Sequence, residues 1–231
     1  MKFALAALIC LTTGAAAQTA SPVELRILAI NDFHGNLRPP PGGIRTSDPA
    51  DKSAKIAVPA GGAEHMATLV SELREGRKNH IFVAAGDLIG ASPFLSAMFH
   101  DEPTIESLSM MGLEVASVGN HEFDEGRAEL LRMQNGGCHP EDGCQGPHAF
   151  TGAKFHYLAA STVETANGKS VLPPYEIREF EGIPVAFIGL TLKETAGIVS
   201  PSGIAGLEFR DEAETVNALV PQLKEIGRAH V

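Results

Sequence analysis

Three short apolar segments, each ending abruptly in polar residues, stand out along the chain. They are Leu25 to Ile30, Ile81 to Ala85 and Val115 to Val118. Continuous rather than alternating hydrophobicity predicts strands that are covered on both faces, as in an α/β sheet. Between them, Ala63 to Arg77 has apolar residues at helical spacing, and Thr104 to Met111 is a shorter helical segment. The predicted order is strand, helix, strand, helix, strand.

The connecting segments and the second half of the chain complete this pattern. Residues 38 to 60 are rich in proline, glycine and charge, which predicts a surface loop, and residues 134 to 154 predict a second one. Three further strands and one helix are predicted at Tyr157 to Ala160, Tyr175 to Phe180, Ile183 to Leu190 and Asp211 to Leu223.

Composition narrows the class of protein. The 231 residues are 44% hydrophobic and 20% charged, which fits one globular α/β domain. A formal net charge of -10 argues against binding to a nucleic-acid polymer or an anionic membrane. An anionic substrate would therefore need local cations to attract it.

The amino terminus has the pattern of an export signal. Lys2 precedes the apolar run from Phe3 to Leu11, and three alanines end at Ala17, before Gln18. The apolar run is far shorter than the roughly 20 residues that cross a bilayer. We therefore expect a signal peptide at residues 1–17, no stable membrane insertion, and a periplasmic or secreted protein.

Two cysteines remain after such a signal is removed. Cys138 and Cys144 enclose a short loop rich in glycine and proline, which in an exported protein favours a disulfide. Zinc binding is the alternative, since His139 and His148 are nearby in sequence. Structural zinc sites usually have four ligands at tighter, paired spacing, so the disulfide is the favoured interpretation.

Polar residues follow each of the three apolar strands. The first strand leads into Asn31 to Gly35, the second into Gly86-Asp87, and the third into Gly119 to Asp124. Ligand sites in open α/β sheets form at the carboxyl ends of the strands, so we expect these loops to converge. Their carboxylates, imidazoles and amide suit two divalent cations such as zinc or manganese, and two such ions can clamp a phosphate group.

The same segments resemble the calcineurin-like metallophosphoesterases and, within them, the exported bacterial 5′-nucleotidases. The resemblance is carried by four segments and extends from about Val23 to Leu223. Those segments are Leu28 to Leu37, Gly61 to Ala63, Gly86 to Pro93 and Val118 to Asp124. It implies a four-layer α/β/β/α catalytic sandwich, incomplete at its carboxy-terminal end and spanning residues 23–224. Family members add a carboxy-terminal domain that binds the nucleoside, and we expect this domain to be absent.

The resemblance also implies the metal ligands. Asp32 and His34 would hold one ion, Asp87 would bridge two ions, and Asn120 would bind the second.

His121 and Asp124 are the implied catalytic pair. His121 would stabilise the phosphoryl transition state or protonate the leaving oxygen, and Asp124 would orient its ring. Glu122 follows the catalytic histidine in the family pattern without coordinating metal.

The chain departs from the family in two respects. Family members complete the metal site with histidines from two later loops, reading Thr-His or Gly-His and Gly-His-x-His, and neither motif occurs here. The ligand set is therefore expected to be partial. Residues 225–231 resemble a translated sequencing adapter, which predicts a non-native tail on a truncated gene.

These features favour an enzyme that hydrolyses phosphate monoesters, with a 5′-nucleotide giving a nucleoside and phosphate. Two alternatives stay open: a phosphoesterase for cyclic nucleotides or nucleotide sugars, and a noncatalytic exported domain that binds metal. We expect a monomer that binds a small-molecule nucleotide, with little or no activity in the chain as it stands. The sequence does not identify substrate-binding residues.

Overall fold

The computed structural model describes residues 22–225. The expected signal peptide at residues 1–17 lies outside the described residues, as does the expected tail apart from Glu225. The strands are β1 (Arg26–Ile30), β2 (Ile44–Ser47), β3 (Lys55–Val58), β4 (His80–Ala84), β5 (Val115–Ser117), β6 (His156–Leu158), β7 (Thr162–Glu164), β8 (Tyr175–Phe180), β9 (Ile183–Ile188) and β10 (Leu207–Phe209). The helices are α1 (Gly62–Arg74), α2 (Phe94–Ala97), α3 (Glu102–Met110), α4 (Arg127–Asn135), α5 (Thr195–Ile198) and α6 (Glu212–Glu225), with a 3-10 turn at His121–Phe123.

A parallel sheet of four strands organises the fold. Its strand order is β1-β4-β5-β6, and every neighbouring pair is parallel. In its register, Ile30 lies opposite Ala84, and Ala84 lies opposite Ala116. The carboxyl ends of β1, β4 and β5 therefore meet at one edge of the sheet. The expected α/β fold with a parallel sheet is confirmed.

The core lies between this sheet and the helices packed on it. Phe82 of β4, Ile105 and Leu108 of α3, Leu130 of α4 and Tyr157 of β6 are essentially inaccessible to solvent.

The β1 strand is less buried than its apolar sequence predicts. It lies at the edge of the parallel sheet, and 52% of Ile27 is exposed. The expectation that all three apolar strands are covered on both faces is therefore wrong for β1.

The segment 38–60 lies at the surface, as its composition predicts, but it is not a loop throughout. It contains the antiparallel hairpin β2–β3, in which Ile44 lies opposite Val58. The two strands are only four residues each and almost fully exposed, so the prolines and glycines around them hide the strand pattern. Two other antiparallel pairs, β7–β10 and β8–β9, accompany the parallel sheet.

The second predicted loop begins where α4 ends, at Asn135. Cys138 and Cys144 form a disulfide in this loop, and their Cα atoms are 4.4 Å apart. None of the helices within residues 22–225 combines the length and the apolar character needed to cross a membrane.

Candidate active site

The loops that follow β1 and β4 are joined backbone to backbone at the edge of the sheet. Asp32 N donates to Gly86 O at 3.2 Å, and His34 N donates to Asp87 O at 3.1 Å. Asp32, His34 and Asp87 have positive φ angles of 52°, 44° and 51°. Non-glycine residues rarely adopt this left-handed conformation, which is enriched at functional sites.

Three side chains from the three loops form a compact group. His34, Asp87 and His121 each present a possible metal-ligand atom, and these atoms lie within 4.8 Å of one another. The rings of His34 and His121 meet edge to face, with their centroids 4.9 Å apart. The predicted convergence of the three loops is therefore present in the structure.

Asp32 and Asn120 lie at the rim of this group. Asp32 Oδ1 is 3.8 Å from His34 Nε2, and its other oxygen accepts a hydrogen bond from the Asn31 amide. One atom of the Asn120 side-chain amide lies 3.3 Å from Asp87 Oδ2. In one orientation the amide donates to the carboxylate, and in the other its oxygen lies beside the carboxylate, where both could bind a cation.

The donor set fits divalent metal ions. It combines two carboxylates, two imidazoles and an amide, which are oxygen and nitrogen ligands suited to zinc or manganese. His34 Nδ1 is 2.9 Å from the carbonyl oxygen of Gly90, which can only accept a hydrogen bond. The proton of a neutral His34 therefore lies on Nδ1, and the lone pair on Nε2 remains free for a metal.

His121 and Asp124 form a closely paired imidazole and carboxylate. His121 Nδ1 lies 2.7 Å from Asp124 Oδ2, and the backbone nitrogen of His121 donates to Asp87 Oδ1 at 3.0 Å. Burial lowers the pKa of His121, but the hydrogen bond to Asp124 and the surrounding carboxylates outweigh this effect and raise it above the usual histidine value. His121 is thereby biased towards carrying a proton near neutral pH.

Glu122 has a structural role that the sequence analysis missed. Its carboxylate is 2% exposed and accepts hydrogen bonds from the backbone nitrogens of Asp87, Leu88 and Gly119, at 3.0, 2.8 and 2.7 Å. Burial raises the pKa of Glu122 to about 7, against the opposing effect of these N–H donors. Glu122 ties the second site loop to the third. The signal in the sequence is weak: Glu122 directly precedes the apolar Phe123, and an acidic side chain that is buried beside it needs hydrogen-bond donors.

A second cluster of titratable groups lies beside the disulfide loop. His100 Nδ1 and Nε2 are each 2.9 Å from a carboxylate oxygen, of Glu125 and Asp142 respectively. The ring of His139 stacks on His100 with the centroids 3.8 Å apart. Because both nitrogens of His100 face carboxylates, this arrangement favours a charged histidine held by two ion pairs over a metal ligand.

The zinc alternative for the cysteine loop is not supported. Cys138 and Cys144 are joined to each other, so neither offers a thiolate to a metal. His148 is instead hydrogen-bonded to Glu106, at 2.8 Å.

Comparison with known proteins shows the family to which the chain belongs. Residues 25–226 match the family model described as calcineurin-like phosphoesterase. The match covers most of the chain, and the chain therefore belongs to this family.

Three relatives illustrate the assignment. The chain is 40% identical over 205 residues to "Endonuclease YhcR" of Bacillus subtilis, covering 89% of this chain and 16% of that protein. It is 30% identical over 161 residues to a "5'-nucleotidase" of Vibrio cholerae, covering 68% of this chain and 26% of that protein. Among solved structures, the NAD nucleotidase of Haemophilus influenzae superposes with a TM-score of 0.71 at 26% identity, covering 90% of this chain and 34% of that one. The chain thus spans about a third or less of the length of these relatives.

Proposed function

We propose that this protein is a metal-dependent phosphomonoesterase that converts 5′-nucleotides to nucleosides and inorganic phosphate. The observation that carries the proposal is the convergence of the three strand-end loops on one group of ligand atoms. The names of the Vibrio and Haemophilus relatives, a 5′-nucleotidase and an NAD nucleotidase, support a nucleotide as the substrate class.

Four side chains would hold the metal ions. Asp32 and His34 would bind one ion, Asp87 would be shared between two ions, and Asn120 would bind the second. When bound, the ions would supply the positive charge that attracts the phosphate and stabilises the charge developing in the transition state. That charge is needed because the protein has a formal net charge of -10.

His121 would protonate the leaving oxygen of the substrate. Its Nδ1 is occupied by Asp124, so Nε2 is the nitrogen that remains free to reach a substrate. The carboxylate fixes the tautomer and orientation of the ring, and the raised pKa of His121 favours the protonated form that this step needs.

We place this activity outside the cytoplasm. The residue pattern at 1–17 is that of an export signal, and the Cys138–Cys144 disulfide is typical of an oxidising compartment.

The variant His121→Ala tests the proposed mechanism. We expect it to retain metal binding, measured by calorimetric titration with Mn²⁺, and to release phosphate from 5′-AMP at least about 100-fold more slowly. His148→Ala is the matched control, because that side chain is exposed and contacts Glu106 instead of the site. Full turnover by His121→Ala would remove His121 from the mechanism.

We also expect the isolated chain to be weakly active or inactive. The family resemblance requires histidines from Thr-His or Gly-His and Gly-His-x-His motifs, which this sequence lacks. Residues 18–231 would be assayed in long incubations with added zinc, manganese or cobalt. Robust nucleotidase turnover would contradict a partial ligand set.

A further inference from the structure

The backbone of Gly90 lies between His34 on one side and the pair His121 and Asp124 on the other. Its carbonyl oxygen accepts from His34 Nδ1 at 2.9 Å, and its N–H donates to Asp101 Oδ2 at 3.0 Å. A methyl group on Gly90 would lie 2.7 Å from the Cβ of His121 and 2.8 Å from Asp124 Oδ2. The Gly90 backbone therefore packs closely against His121 and Asp124, and its carbonyl oxygen is hydrogen-bonded to His34.

Asp101 is the side chain that fixes Gly90 from the other direction. It is 7% exposed, and its second oxygen accepts from Ser96 Oγ at 2.5 Å. Ser96 is fully buried and also contacts Thr104 Oγ1, at 2.6 Å. The carboxylate thus has a protein donor on each oxygen and is held within the core.

Asp101 occupies a position where its side chain would be expected to cap a helix. Asp101 directly precedes α3, where an aspartate normally caps the helix by accepting from its first backbone N–H groups. Asp211, directly before α6, does this by accepting from the backbone nitrogen of Glu214 at 3.1 Å. The Asp101 side chain makes no such cap and turns to Gly90 instead, with the backbone in the left-handed region at φ 59°. Stabilising α3 does not explain this geometry.

We propose that Asp101 is a positioning residue that acts through the Gly90 backbone to fix the tautomer and orientation of His34. Because Gly90 is held in place, its carbonyl keeps the His34 proton on Nδ1 and directs the Nε2 lone pair towards Asp32 and Asp87. Partners of this kind, behind a metal-binding histidine, commonly change metal affinity by about 10-fold to 100-fold when they are removed. The inference rests on the proposed function, in which His34 binds metal.

Three variants isolate the contribution of Asp101. Asp101→Gly removes both hydrogen bonds and tolerates the left-handed backbone. Asp101→Asn should rescue, because its oxygen can accept from Gly90, its amide can donate to Ser96, and asparagine also tolerates this conformation. Thr104→Val is the matched control, since it breaks the buried contact with Ser96 without touching Gly90.

Nitrogen-15 NMR measures the tautomer of His34 directly. Nitrogen-15 NMR of the metal-free protein at pH 8, with His34 assigned through a His34→Gln variant, should show the proton on Nδ1 in wild type. Asp101→Gly should give a mixture of tautomers and a dissociation constant for Mn²⁺ about 10-fold to 100-fold higher, while Asp101→Asn and Thr104→Val stay within a few-fold of wild type.

Two results would overturn the inference. One is an Nε2-protonated His34 in folded wild type, a result that requires no variant to fold. The other is an unchanged tautomer and Mn²⁺ affinity in Asp101→Gly. If the tautomers shift as expected but wild type binds no Mn²⁺, the proposed metal-dependent function fails while the link from Asp101 to His34 stands.

Discussion

The loops that follow β4 and β5 approach each other closely at Gly119, which makes Gly119→Ala a direct test of the site geometry. A methyl group at this position would lie 2.1 Å from Asp87 Oδ1 and 2.6 Å from the Asp87 backbone nitrogen. Gly119 is not among the residues with positive φ, so the substitution adds volume without backbone strain.

The size of the effect follows from these distances. Ordinary contacts begin at 3.4 Å, so the two loops must separate, and the Asp87 carboxylate must move by roughly 1 Å. A shift of this size in a metal ligand should raise the dissociation constant for Mn²⁺ by about 10-fold to 100-fold, or about 1.4 to 2.7 kcal/mol. Overpacking should also lower the free energy of unfolding by about 1 to 3 kcal/mol.

Calorimetric titration with Mn²⁺ and urea unfolding measure the two effects separately. The matched control is Gly197→Ala, because an added methyl group there meets no atom within 4 Å and Gly197 also lacks a positive φ. We expect the control to resemble wild type in both measurements. If folded Gly119→Ala binds Mn²⁺ as tightly as wild type, then Asp87 is not a metal ligand in the position described here.

Three further predictions concern residues around the site. Glu122→Gln places an amide N–H₂ where a backbone N–H needs an acceptor. We therefore expect the free energy of unfolding in urea to fall by about 2 kcal/mol and Mn²⁺ binding to weaken. An unchanged urea midpoint would refute the structural role of Glu122. Burial lowers the pKa of His100, but the hydrogen bonds to Glu125 and Asp142 outweigh this effect and raise the pKa overall. The stability that the protein loses in His100→Gln should therefore be largest below about pH 6.5 and should vanish as the pH rises through the raised pKa. A loss of stability that grows with pH would contradict the ion pairs. Replacing Cys138 and Cys144 with serine should lower the free energy of unfolding by about 2 kcal/mol, because the closed loop is short, and wild type under reducing conditions should show the same loss while serine protein is unaffected.

The convergence of the three loops could be predicted from the sequence because the signal is local to each strand. Asp or His within a few residues of the end of an apolar strand is placed near that strand end, and parallel pairing brings the strand ends to one edge. Asp87 and His121, separated by more than thirty residues in the chain, could therefore be placed together before the fold was known. The roles assigned to them depend on the family resemblance and remain predictions.

The sequence does not reveal the residues that support the site. Glu122 and Asp101 look like surface or helix-capping residues, because acidic side chains are seldom fully buried. All the partners of Glu122 and one of the two partners of Asp101 are backbone N–H groups, which leave no pattern in the sequence. The edge position of β1 was missed for a related reason, since strand order depends on tertiary pairing and an apolar run does not encode it.

The two buried carboxylates support the strained backbone of this site at Asp87 and, through Gly90, at His34. Asp32, His34 and Asp87 occupy left-handed conformations that cost about 1 to 3 kcal/mol each unless the surrounding structure imposes them. Glu122 accepts from the backbone nitrogen of Asp87, and Asp101 accepts from the N–H of Gly90, whose carbonyl oxygen accepts from His34. Both carboxylates act on the backbone, so the geometry of the ligands does not depend on the ions that they would bind. Replacement of a ligand side chain should therefore leave the loops in place, whereas loss of either buried carboxylate should disturb several ligands together.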